Sequence, residues 1–279
     1  MNERAAAASF IGTLQAGYTD FHYLRDVWQE TTEKDALIGV GMTGIASGAV
    51  LDLDLEQATN CVLEENSRVA KKLGINEAAR TTTIKPSGTS SLVLGTSSGI
   101  HAWHNDYYVR RMRVGKDEAI YGHLSEYHPE LVEDEFFRPQ DQAVIEIPQK
   151  APEGAILRHE SPMELLKRVS RFNEEWVRTG HRDGQNSHNV SVTVSVKDDQ
   201  WETVGDWMWK NRNHFNGISV LPYMGGTYKQ APFEDITKEQ YEVMESALTS
   251  IDLTQVREEE DNTDLTGEIA CGADGCIVT

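Results

Sequence analysis

Along residues 5–31 the large apolar side chains Phe10, Leu14, Tyr18, Phe21, Leu24 and Trp28 recur at three- and four-residue steps. That period lines one face of a helix, so the stretch reads as helical, with a break near Gly17 and these positions in the core. Leu55 to Leu73 repeats the pattern, with Val62, Val69 and Leu73 on the apolar face and Gly74 as the C-terminal stop. Cys61, within this helix, reads as a small buried hydrophobe. Ser161 and Pro162 have the form of an N-cap and a first helical position, opening a helix that runs to about Thr179. Valines alternate with serine and threonine over 190–196, the clearest period-two strand in the chain. A tryptophan-bearing helix over 200–211 and a strand over 218–221 follow, and the order strand, helix, strand implies parallel pairing. Residues 107–114 read as a strand carrying Arg110, Arg111 and Arg113, which could serve an anion but more commonly meet carboxylates, and Thr237 opens a last helix.

The stretch 80–101, RTTTIKPSGTSSLVLGTSSGIH, stands apart from these periodic elements. A β-branched run, Thr81 to Ile84, breaks at Lys85-Pro86 and passes through Ser87, Gly88, Thr89, Ser90 and Ser91 before turning apolar at Leu92. Glycine permits close approach of a ligand to the backbone, hydroxyls donate hydrogen bonds, and a helix opening at Ser90 would aim its N–H groups at the same point. The turn is therefore either a cradle for an anion such as phosphate or simply a capped strand-to-helix connection. Gly39, Gly41 and Gly44 spell G-x-G-x-x-G, but a dinucleotide site also needs a full strand before and a helix within the motif. Only part of that context is present, and the glycines are read as marking close backbone packing. His101 and His104 lack cysteine or carboxylate partners at zinc-like spacing, so no metal site is expected.

Composition changes the picture chiefly through charge. The chain has 279 residues, 39% hydrophobic, with 26 basic against 45 acidic side chains and a formal net charge of -19. Such a balance opposes direct binding to DNA, RNA or an anionic membrane through a general basic surface, so any phosphate must be met locally. No apolar run approaches the length of roughly 20 residues that spans a bilayer, and MNERAAAASF resembles neither a signal nor a transit peptide. A cytoplasmic protein is expected. The acidic stretch of about 115–160, punctuated by Pro129, Pro139, Pro148 and Pro152, reads as a surface excursion, and the charged segment from Thr254 onward as a flexible tail. At its end lie Cys271 and Cys276, separated by Gly272, Ala273, Asp274 and Gly275. A pair alone cannot complete a tetrahedral metal site, whereas two thiols on a glycine-bearing spacer suit a redox dithiol.

Taken together, several motifs resemble the C-terminal part of the catalytic chain of the adenosylcobalamin-dependent, class II ribonucleotide reductases. They are DALIGVGMTGIASG at 35–48, KPSGTSS at 85–91, GIHAWHNDYYVRRMRV at 99–114, HNVSVTVSV at 188–196, ISVLP at 218–222, YKQAPFEDIT at 228–237 and CGADGC at 271–276. The resemblance implies an α/β fold, the second half of a ten-stranded α/β barrel, with a half-domain over 1–253 and a redox tail over 254–279. It implies that Ser87, Gly88, Thr89, Ser90 and Ser91 hold the phosphates of a ribonucleoside di- or triphosphate. It also implies that Cys271 and Cys276 reduce the active-site disulfide formed in each turnover and are re-reduced by a thioredoxin-type dithiol donor. Adenosylcobalamin is the implied cofactor, and a radical generated from it would begin the reaction by abstracting the ribose 3′ hydrogen.

One departure is large. The family's radical cysteine lies in an N-x-C-x-E loop, and Cys61, followed by Val-Leu-Glu, does not supply it. The expectation is a split enzyme in which an N-terminal reductase chain brings the radical cysteine with the catalytic Asn and Glu. Three alternatives stand beside it: a non-catalytic interaction or regulatory module derived from the same barrel, a fragment of a class I large subunit, and a nicotinamide-binding oxidoreductase built on Gly39 to Gly44.

Overall fold

The computed structural model describes residues 1–88, 90–223 and 228–258. Within them the chain divides into two units, one of residues 1–102 with 159–223 and the other of 103–158 with 228–258.

The first unit is built on extended segments that lie side by side in parallel. Val40 bridges Thr82, and Ile84 bridges Val190. Strand β4 (Val192–Val196) then pairs with β5 (Ile218–Pro222), Val192 standing opposite Ile218 and Val196 opposite Pro222. Parallel neighbours require long crossovers, and helices supply them. Helix α3 (Leu55–Leu73) joins the first two segments, α6 (Pro162–Phe172) leads into the third, and α7 (Trp201–Lys210) joins β4 to β5. The class is therefore α/β, and the parallel pairing expected for strand, helix, strand is observed. In β4 the alternation is kept: Val192, Val194 and Val196 are buried, Thr193 is half-buried and Ser195 exposed. The valines share one core with Ile84, Val190, Val62 of α3, Phe172 of α6 and Val204 of α7.

Local chemistry sets the helix ends. Asp54 accepts the Gln57 N–H at 2.9 Å to start α3, and Gly74, with φ of 72°, stops it in the left-handed region that glycine adopts without strain. Ser161 and Glu164 form a reciprocal capping box before Pro162.

The N-terminal helices overturn one expectation. Helix α1 (Asn2–Ala16) ends at Gly17, but it buries Ala5, Ser9 and Thr13 rather than Phe10 and Leu14. Ser9 Oγ donates to the Val62 carbonyl at 2.7 Å, and Asn66 Nδ2 donates to Thr13 Oγ1 at 2.9 Å, so small polar side chains fasten α1 to α3. Phe10, Leu14, Tyr18, Leu24 and Trp28 are exposed and Phe21 is half-buried. Helix α2 (Asp26–Asp35) buries no residue. Leu73 is likewise exposed, and Cys61 is half-buried rather than buried.

The loop ahead of β4 is tied to α3 by Arg182. Its guanidinium donates to Asn66 Oδ1 at 2.7 Å, the Ala78 carbonyl at 2.9 Å, the Leu63 carbonyl at 2.7 Å and Ser67 Oγ at 3.0 Å. Burial pushes its pKa below the usual arginine value, with Glu77 opposing, and the donors meet this cost through their acceptors. Arg182→Met is expected to lower unfolding stability by about 2–4 kcal/mol, since several partners lose a charged donor together. Denaturant titration tests this, and a loss of less than about 1 kcal/mol would assign Arg182 no structural role.

The second unit is an antiparallel sheet. Strand β1 (Tyr107–Gly115) lies between β3 (Gln142–Lys150) and β6 (Phe233–Asp235), and β2 (Val132–Asp134) flanks β3. Val114, Leu124 of α5 (Ala119–Tyr127), Leu131, Ala143 and Ile145 form its own small core. Thr237 and Gln240 form the capping box of α8 (Lys238–Ala247). Arg111 meets both Glu146 and Glu234, and Arg113 lies 3.4 Å from Glu135, as an acidic protein favours. Arg110 instead lays its guanidinium over the Phe233 ring, 4.8 Å from the centroid. Among the described residues no helix is long and apolar enough to cross a membrane.

Candidate functional site

Residues 81–84 end at the carboxyl side of their parallel pairing, where ligands of α/β sheets gather, and the chain there enters the hydroxyl-rich turn. The structure brings Ser87, Gly88, Ser90 and Ser91 together in that turn, while Thr89 lies outside the described residues. The Ser87 and Ser90 hydroxyls meet in a short hydrogen bond, and the Ser91 N–H donates to Ser87 Oγ at 2.9 Å. Ser91 is buried and gives its own hydroxyl to the Ser87 carbonyl, so it braces the turn from within. Ser90 and Gly88 are exposed, and among the described residues, chain neighbours apart, no heavy atom lies within 4 Å of where a Cβ on Gly88 would stand. Helix α4 (Ser90–Val93) is a single turn that follows directly.

The turn is held by a second loop that spacing alone did not reveal. Ser98 Oγ accepts the Ser87 N–H at 2.8 Å. Thr43 Oγ1 donates to the Ser97 carbonyl at 2.9 Å and accepts the Gly99 N–H at 2.9 Å. Gly99, with φ of 55°, passes so close that a Cβ would fall 2.6 Å from the Lys85 carbonyl oxygen. His101 Nε2 accepts the Thr193 N–H at 3.2 Å, while Nδ1 lies 3.2 Å from the Ser98 carbonyl. This network assigns the proton to Nδ1 and connects the turn's support to β4.

The glycines of 39–44 take part as packing. Gly44, with φ of 75°, precedes a three-residue 3₁₀ turn (Ile45–Ser47), and a Cβ there would lie 2.4 Å from Thr96 Oγ1. A dinucleotide fingerprint would open a long helix at that point. His104, in the second unit, stacks on Phe233 at 5.2 Å with Nε2 3.1 Å from Asp235 Oδ1. Burial, helped by Arg158 and opposed by Asp235, lowers its pKa to about 4, so it is neutral at pH 7. Among the described residues no group of three His, Cys, Asp or Glu side chains is placed to hold a metal ion. Cys271 and Cys276 lie outside the described residues.

Comparison with known proteins bears on what this arrangement serves. The chain is 28% identical over 268 residues to the adenosylcobalamin-dependent ribonucleoside-triphosphate reductase of Euglena gracilis, covering 90% of this chain and 35% of that protein. It is 24% identical over 294 residues to the enzyme of the same name from Lactobacillus acidophilus, covering 92% and 38%. This chain is similar to the adenosylcobalamin-dependent ribonucleotide reductases. A probable reductase of this type from Dictyostelium discoideum shows 29% identity over 245 residues. The fold agrees: a crystal structure of a B12-dependent, class II ribonucleotide reductase superposes with a TM-score of 0.73 at 23% identity, over 89% of this chain and 39% of that one. No family model matches the chain. The chain spans 35% and 38% of the length of the first two of these reductases.

Proposed function

We propose that this chain is the C-terminal portion of a ribonucleotide reductase, an oxidoreductase that converts ribonucleotides to deoxyribonucleotides by radical chemistry. The observation that carries the reading is the similarity to such reductases along 90% or more of the chain, together with an exposed hydroxyl turn at the carboxyl end of a parallel segment. Ser87, Gly88, Thr89 and Ser90 hold the phosphates of a ribonucleoside di- or triphosphate, and Ser91 keeps the turn in shape. The parallel segments belong to the second half of a ten-stranded barrel. Supporting this, helices cover the valine face of β4, while Thr193 and Ser195 give its other face polar groups suited to a substrate-lined interior.

The half-domain comprises 1–253, within which residues of about 115–160 belong to the second unit with its own core rather than to a mere surface excursion, and the redox tail comprises 254–279. Cys271 and Cys276 give two electrons and two protons to the active-site disulfide, becoming a disulfide themselves, and a thioredoxin-type dithiol donor returns them to thiols. The N-x-C-x-E motif of the family's radical cysteine is not among these residues, and the radical cysteine is supplied by the N-terminal part of the reductase. The enzyme works in the cytoplasm and binds no DNA, RNA or membrane directly.

Adenosylcobalamin is the cofactor that the resemblance implies, and when bound it supplies the radical. A corrin needs a broad apolar wall. The cavity of about 530 Å³ beside α3 is lined by Ser67, Arg68, Lys71, Ile75, Asn76 and Glu77, a polar and charged set that does not suit it. No corrin contact is assigned to that cavity, and the role proposed for the residues of the turn is to bind and orient substrate.

Mixing this chain with the N-terminal chain, a ribonucleotide, adenosylcobalamin and a dithiol is expected to yield deoxynucleotide, and neither chain alone should do so. An assembled complex that forms no product would overturn the enzymatic reading in favour of a regulatory module. Product without cobalamin but with a separate radical-generating protein would assign the chain to class I.

A further inference from the structure

The helix that starts at Pro162 changes character before it ends: over Asn173–Arg178 it winds as a π-helix. Such turns recur beside functional sites. Here the segment leading into the phosphate turn bonds to this π-helical stretch and to the residues just after it. Thr82 Oγ1 donates to the Trp176 carbonyl at 2.6 Å, and Thr81 Oγ1 donates to the Gly180 carbonyl at 2.9 Å. In return Trp176 Nε1 donates to the Thr83 carbonyl at 3.3 Å. Thr81, Thr82 and Trp176 are all buried, so each polar group depends on its partner. Contact is close enough that a Cβ on Gly180 would lie 2.0 Å from Thr82 Oγ1. A few residues on, Pro86 restricts the backbone, so the direction of residues 81–84 is passed to Ser87 and Gly88 with little slack.

We propose that the π-helical segment is the strut that aims the phosphate turn, with Thr82 and Trp176 as its positioning residues. This rests on the phosphate reading of Ser87 to Ser90. Neither residue touches the ligand; each fixes the extended segment from which the turn projects, through contacts separate from those of Ser98 and Gly99. Phosphate oxygens are held by several short, directional hydrogen bonds, and a displacement near 1 Å of their donors is enough to lose most of the binding.

The test uses the full chain and three variants, Thr82→Val, Trp176→Phe and Thr82→Ser. Amide hydrogen exchange is followed at Ser87 and Ser91 without ligand, and affinity is measured for a ribonucleoside triphosphate and for its unphosphorylated nucleoside. Thr82→Val is expected to speed exchange in the turn and weaken triphosphate binding, each by about tenfold, with α3 exchange and nucleoside affinity unchanged. Trp176→Phe, which removes the indole N–H and leaves a smaller ring in the core, should act in the same direction, and Thr82→Ser should restore parent behaviour. Unchanged exchange at Ser87 and Ser91 in both Thr82→Val and Trp176→Phe would overturn the strut, whatever happens to thermal stability. A parent chain that binds triphosphate no better than nucleoside would overturn the phosphate reading itself, while the exchange rates still decide whether the strut exists.

Discussion

Gly99→Ala is expected to destabilise the first unit by roughly 2–4 kcal/mol and, on the phosphate reading of Ser87 to Ser90, to remove nucleotide binding by the turn. Two costs combine. Gly99 has φ of 55°, in the left-handed region that residues with a Cβ adopt at about 1 kcal/mol or more. The added Cβ would also lie 2.6 Å from the Lys85 carbonyl oxygen, 3.1 Å from its carbon and 3.3 Å from Pro86 Cα. These are backbone atoms, so no side chain can swing aside, and the strand leading into Ser87 must shift instead. Gly88→Ala is the informative contrast. Open space surrounds its Cβ position, so folding should change by no more than about 0.5 kcal/mol, while on the phosphate reading the methyl group would stand where phosphate approaches. Denaturant midpoints at unchanged slope, with titration of a ribonucleoside triphosphate, separate the two effects. A Gly99→Ala chain as stable as the parent would show that the 43–44 and 97–99 loops do not hold the turn.

What the sequence disclosed follows from how local each cause is. The alternation of Val192, Val194 and Val196, the Ser161 N-cap and the Gly74 stop act over a few residues, and each appears in the structure where spacing placed it. The run Thr81 to Ile84 and the turn after it were visible for the same reason, as β-branched and then small residues. The α1 face was misread because apolar periodicity reports where large side chains lie, not which face packs. Ser9 and Thr13 let α1 approach α3 closely and bond to Val62 and Asn66, leaving Phe10 and Leu14 outside. Thr43, Ser98 and Gly99 went unrecognised as supports of the turn because their partners are distant in sequence, although Gly99 in GIH was a signal. The π-helix over Asn173–Arg178 left no trace in a periodicity that an α-helix would also satisfy.

Replacing both Cys271 and Cys276 with serine is expected to have the largest effect on activity, on the reading that this chain supplies the reductase's dithiol relay. Each turnover of such an enzyme consumes two electrons and leaves a disulfide beside the substrate. A pre-reduced variant assembled with the rest of the reductase should therefore form about one product per site and then stop, with continued turnover from a thioredoxin-type donor falling at least about 100-fold. A small dithiol such as dithiothreitol, able to reach the buried disulfide directly, should restore part of the rate. The single-turnover yield separates relay from structure: a folding defect would diminish the first turnover along with the rest, whereas loss of the relay spares it. Single Cys271→Ser and Cys276→Ser variants should each behave like the double one, since one thiol can attack a disulfide but cannot resolve the mixed disulfide that results. Equal multiple-turnover rates in parent and double variant would remove these two cysteines from the reaction and leave the phosphate turn as the chain's contribution to it.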